Sequence, residues 1–150
     1  MKKFQFSLET VLTYKQQVLE AVQNEHAILL KKMYDCQTQL ENCWQRYRDY
    51  NEEYRMRSNA GMPITEALMY QSGLRALENE IQKCTKLLKE AQLREEKKRA
   101  EVVEAKKDTS SIEKLKDKKL TAYQKAVAKS EEERLEEFVS MKRVQNAVAV

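Results

Sequence analysis

Along the first third of the chain, apolar residues recur at alternating steps of four and three, a spacing that predicts one long helix with a single apolar seam. The seam runs Leu8, Leu12, Lys15, Leu19, Val22, His26, Leu29, Met33, Cys36, Leu40, Cys43, Tyr47, Tyr50, Tyr54, and only Lys15 and His26 among these fourteen are polar. Such a stripe, held for more than six heptads, is the pattern of a coiled coil. Ser7 can serve as N-cap with Glu9 near the positive helix end, and Phe6 and Val11 stand at the positions of a hydrophobic staple. The first helix is therefore expected from about Leu8 to about Arg57, roughly 50 residues and about 75 Å of rise.

The segment Ser58-Asn59-Ala60-Gly61-Met62-Pro63-Ile64-Thr65 opposes a continuous helix. Gly61 suits a left-handed C-terminal cap, and Pro63 disfavours the helical conformation at Met62. Thr65 reads as the next N-cap, with Ile64 and Met69 as a second staple. A second helix is expected over about 66–140, its seam resuming as Leu74, Leu77, Ile81, Cys84, Leu88 and Ala91. It weakens through Glu95 and Lys98, returns at Val102, Ala105 and Ile112, and then shifts register through Leu120, Tyr123, Val127, Leu135 and Phe138, the mark of a stutter. Folding back about the turn pairs residue i with roughly 123 minus i. The fold class is thus all-α: one antiparallel coiled-coil hairpin spanning 1–150, with a turn over 58–65. A C-terminal helical overhang beyond about Lys119 has nothing in its own chain to cover its apolar face.

Composition agrees with this pattern. The 150 residues include two glycines and one proline, with 41% hydrophobic and 35% charged residues. A sheet fold of this length needs many more turn residues than Gly61, Pro63 and Gly73. The net charge of +4 is small but uneven, about +1 over 1–57, −2 over 58–82, +7 over 83–129 and −2 over 130–150. The longest early apolar run, Ala27-Ile28-Leu29-Leu30, is far short of a membrane span. No apolar stretch follows Met1-Lys2-Lys3 as a leader would require, and three cysteines suit a reducing compartment. The expectation is a soluble intracellular protein.

Candidate chemistry is sparse. Neither glycine precedes a Lys-Ser or Lys-Thr pair, so no phosphate-cradling loop is present. His26 falls on the seam with no Ser or Cys three or four residues away. Cys36 and Cys43 lie about 10.5 Å apart along a helix, too far to share a zinc ion with Cys84. No catalytic residue, cofactor or metal is expected. Tyr47, Tyr50 and Tyr54, with Trp44 and Tyr34 nearby, form the densest aromatic cluster beside the turn. The runs Glu95-Glu96-Lys97-Lys98-Arg99 and Lys114-Leu115-Lys116-Asp117-Lys118-Lys119 are either a solvated face or a surface for an acidic partner. Without interleaved stacking residues, nucleic acid is not the expected partner.

The start Phe4-Gln5-Phe6-Ser7-Leu8-Glu9-Thr10-Val11-Leu12, the pre-turn Tyr50-Asn51-Glu52-Glu53-Tyr54-Arg55, the post-turn Tyr70-Gln71 with Leu74, Leu77 and Ile81, and the late Glu136-Glu137-Phe138 resemble the flagellar export FliJ family over nearly the whole chain. The resemblance implies a non-enzymatic antiparallel coiled coil, similar to the central stalk of rotary ATPases. It would couple the hexameric flagellar export ATPase to the membrane export gate and aid export chaperones, without inserting in the membrane. It further implies a cytoplasmic protein peripherally associated with the inner face of the cell membrane at the flagellar base. The family's gate-contacting face matches Gly73, Leu77, Glu80 and Cys84. Since Gly73 and Glu80 depart from the apolar residues expected there, the gate contact is assigned to Tyr70, Leu74, Leu77 and Ile81. The ATPase contact is assigned to the other end, at Phe4, Phe6, Leu8, Leu115 and Leu120. Two other readings share these features: a generic coiled-coil scaffold or dimerisation protein, and the equivalent stalk of a virulence type III secretion system.

Overall fold

The computed structural model describes residues 2–149 and consists of two helices, α1 (Glu9–Ala60, 52 residues) and α2 (Ile64–Val148, 85 residues), with no strand among the described residues. The protein is all-α and hairpin-like, as the periodicity predicts. Helix α1 begins at Glu9, after a turn in which the Phe6 carbonyl accepts the Glu9 amide, and the Leu8 carbonyl takes the first intrahelical bond, from Leu12. Between Glu9 and Ala60 there is neither Gly nor Pro to interrupt the helix. Glu9 in its first turn and Arg57 in its last complement the helix dipole.

The reversal is tighter than the eight residues expected. Only Gly61, Met62 and Pro63 are non-helical. Gly61 adopts φ 92°, where a side chain would be strained, and its amide bonds back to the Ser58 carbonyl at 3.2 Å. Pro63, and not Thr65, caps α2: its carbonyl accepts the Ala67 amide at 3.1 Å, and its ring removes an amide that would have no partner there. The second staple is not formed, because Ile64 and Met69 are 80% and 72% exposed. Arg57 and Glu66 form an ion pair across the turn.

The chain divides into two compact units, Glu20–Glu104 and the combination of Met1–Leu19 with Ala105–Val150. In the first, Cys43 faces Cys84, Tyr50 faces Gly73, and Glu25 reaches Lys98, all near the pairing of i with 123 minus i. Here α1 and α2 run antiparallel, and the seam between them is the core. In the second, Lys15 faces Asp108 and Thr109, and Glu9 pairs with Lys116. Its α2 seam continues as Ala105, Thr109, Ile112, Lys116, Leu120, Tyr123 and Val127, none of them exposed. Two successive steps of four, Ile112 to Lys116 to Leu120, place the stutter.

Candidate functional site

In the 20–104 unit, the residues assigned to a gate contact prove to be seam residues. Tyr70, 7% exposed, lies against Tyr50 and Tyr54 with ring centroids 5.0 and 5.4 Å away, and its hydroxyl donates to Glu53 Oε1 at 3.1 Å. Burial, followed by that hydrogen bond, pushes the phenol above its ordinary pKa, so it stays a donor. Ile81 is buried, and Leu74 and Leu77 are half-buried on the same face. A side chain that fills the space between two helices offers little of itself to a partner. The exposed apolar residues of this stretch are Ile64, Leu68 and Met69, which the helical period turns away from the seam.

The two positions that departed from the expected pattern have structural reasons. A Cβ on Gly73 would sit 2.6 Å from Tyr50 Oη, so the missing side chain is the seat of the tyrosine ring. Glu80 accepts a hydrogen bond from Arg46 at 2.8 Å, and this pair raises the guanidinium pKa further. Cys84 Sγ lies 3.5 Å from Cys43 Sγ, and burial pushes its thiol up.

Further along the seam, polar residues answer one another. His26 Nε2 donates to Glu95 Oε1 at 3.0 Å, and Arg99 lies 3.4 Å from the other oxygen of the buried Glu95. Lys98 bridges Glu25 and Glu101, each at 2.8 Å. These hydrogen bonds raise the Lys98 pKa, and the bond from Lys98 lowers that of Glu101. Where the hydrophobic pattern weakens, the two helices are thus joined by charge-assisted bonds.

In the other unit, an arm formed by residues 2–8 lies on α2. Phe4 tilts against Tyr123 at 5.5 Å between centroids, the Tyr123 hydroxyl donates to the Lys2 carbonyl at 2.7 Å, and Phe6 is buried. Of the residues assigned to an ATPase contact, Phe4, Leu8 and Leu120 are half-buried and only Leu115 is exposed. The arm also moves the start of the uncovered segment. Leu120, Tyr123, Val127 and Ser130 are still half-buried, whereas every residue from Glu131 to Ala149 is exposed. Leu135 and Phe138, expected to continue the seam, are exposed at 64% and 58%. With Met141, Val144 and Val148 they leave α2 with exposed apolar side chains, the Phe138 ring having the Lys142 ammonium over it at 5.3 Å. The same segment carries Glu131, Glu132, Glu133, Glu136 and Glu137.

Among the described residues, no group of three or more His, Cys, Asp or Glu could hold a metal ion, and no helix is long and apolar enough to cross a membrane. A family model described as "Flagellar FliJ protein" matches residues 4–147. No curated protein and no solved structure matches the chain.

Proposed function

The chain belongs to the flagellar FliJ protein family, a family related to flagellar export, and from that premise we propose that it is a non-enzymatic stalk of the flagellar protein-export apparatus. It couples the export ATPase hexamer to the cytoplasmic part of the membrane export gate and assists chaperone and substrate delivery. It works in the cytoplasm at the inner face of the membrane. The observation that carries this reading is the C-terminal part of α2: exposed Leu135, Phe138 and Met141 lie in a stretch, residues 131–148, whose every residue is exposed. An amphipathic helix gains its stability from what it packs on, so a long uncovered one calls for a partner that surrounds it.

On this reading the ATPase is engaged mainly by Leu135, Phe138 and Met141. Phe4, Phe6 and Leu8 then act by holding the arm on α2 beside Leu115 and Leu120. The gate is engaged by the segment just past the turn. Leu68 and Met69 make the contact, and Tyr70, Leu74, Leu77 and Ile81 hold the helix that presents them. Light scattering on mixtures of the chain with the purified export ATPase tests the proposal. The expected result is a complex with one chain per hexamer, lost on Phe138→Asp. A chain that ignores the ATPase and pairs with itself through the same apolar face would instead favour the scaffold reading.

A further inference from the structure

Two of the three free cysteines meet in the seam although they are 41 residues apart. Cys43 Sγ and Cys84 Sγ are 3.5 Å apart, and Cys43 is only 2% exposed. A cystine bond is about 2.05 Å long, so the sulfurs need to close by only about 1.5 Å. Both residues project from facing positions of antiparallel helices, which holds the sulfurs together without a local loop. Arg46 Nη2 donates to Cys43 Sγ at 3.3 Å while bound to Glu80, which holds that sulfur in place beside Cys84. Cys36 is one heptad from Cys43 and cannot reach the pair, and no metal-binding group is present among the described residues. Two thiols with no third ligand point to redox chemistry and not to metal binding.

We propose that Cys43 and Cys84 are an oxidisable dithiol, which a hydroperoxide converts into an intrachain cystine that staples α1 to α2 and a dithiol reductant restores. The more exposed Cys84 reacts first. Its thiolate attacks one oxygen of hydrogen peroxide, the S–O bond forms as the O–O bond breaks, and the released hydroxide takes up a proton to leave as water. Cys43 Sγ then attacks Cys84 Sγ. The S–S bond forms, the S–O bond breaks, and a second water departs with the Cys43 proton. Two thiols lose two electrons and two protons, and the peroxide is reduced to two waters. Because burial raises the Cys84 pKa, thiolate is scarce at neutral pH and the first step is slow. The product closes a loop that contains the turn and the tyrosine cluster, and so restricts the unfolded chain. This inference is independent of the export role.

The test is hydrogen peroxide treatment of the full chain, followed by thiol alkylation and peptide mass mapping. The expected product is a monomer in which Cys36 alone is alkylated and the Cys43 and Cys84 peptides are linked with loss of two hydrogens. Its Tm rises by roughly 10 °C and returns on reduction. Cys36→Ser behaves as the unmodified sequence does, while Cys43→Ser and Cys84→Ala each abolish both the link and the Tm rise. Three thiols left free after prolonged oxidation, sulfinic acid without a link, or a link through Cys36 or between chains would each overturn the proposal.

Discussion

The 20–104 unit and the unit that carries the C-terminal part of α2 use the same kinds of residue to opposite ends. In the first, Tyr50 and Tyr54 face Tyr70 across the seam, Ile81 is buried, and even the polar His26 and Glu95 are matched. In the second, Leu135, Phe138 and Met141 are no less apolar but face solvent. What differs is the supply of a second helix. α2 outlasts α1 and the arm before it, so periodicity that builds a core in one place builds an exposed face in the other. Apolar residues of this chain therefore divide into those that hold it together and those left for something else, and substitutions should separate the two groups.

The largest contrast lies between Tyr70→Ala and Phe138→Ala. Removing Tyr70 leaves a void between Tyr50 and Tyr54 and should cost about 3 to 4 kcal/mol, lowering the urea midpoint. The Phe138 change should stay within about 0.5 kcal/mol, since an exposed ring contributes little to folding. Equal losses would mean that Phe138 is covered in solution. Next in size is Gly73→Leu. Its side chain would occupy the place of the Tyr50 ring, and overpacking of this kind costs about 1 to 3 kcal/mol. Tyrosine fluorescence should report the displaced ring, and an unchanged midpoint would show that the seat is not needed.

His26→Ala should follow at about 1 to 2 kcal/mol, because the buried Glu95 keeps only the longer contact to Arg99. Chemical denaturation reads it directly, and His26→Gln, which can still donate, should recover part of the loss. The smallest effect concerns Lys98 and Glu101. The Glu101 carboxyl is held below its ordinary pKa by the bond from Lys98, so its stabilisation is present at neutral pH and is lost as pH falls through the lowered value. The Lys98 ammonium is raised, so its share is complete below the ordinary lysine pKa and is lost as pH rises through the raised value. Glu101 is exposed and Lys98 half-buried, and the change should be visible only as a slight flattening of the acid limb in Glu101→Gln. A steep change in that limb would contradict this placement.

Much of the hairpin was legible because a helix writes its buried face into a fixed period. All fourteen residues of the first seam are buried or half-buried, with Val18 and Leu30 added beside them. Glu95 and Lys98 read as a weakening because apolar periodicity does not register a polar residue matched by another on the facing helix. The pairing of residue 26 with its neighbours near 97 held the signal. Gly73 was legible in principle, since a helix-interior glycine carries a cost that packing must offset. The arm was not legible: residues 2–6 have no helical period, so their hold on Tyr123, and with it the true start of the uncovered segment, appears only in three dimensions. Most of the assigned contact residues lie in the seam for a related reason. Apolar character marks a seam and a docking face alike, and only exposure separates Tyr70 from Leu68.

The central claim, that the uncovered face of α2 is there to engage the export ATPase, is tested most directly by the steady-state hydrolysis rate of that ATPase with and without the chain. The account predicts stimulation at one chain per hexamer, and its loss on Phe138→Asp with the circular dichroism spectrum and urea midpoint unchanged. A rate indifferent to the chain, or equally stimulated by the Phe138→Asp variant, would contradict it.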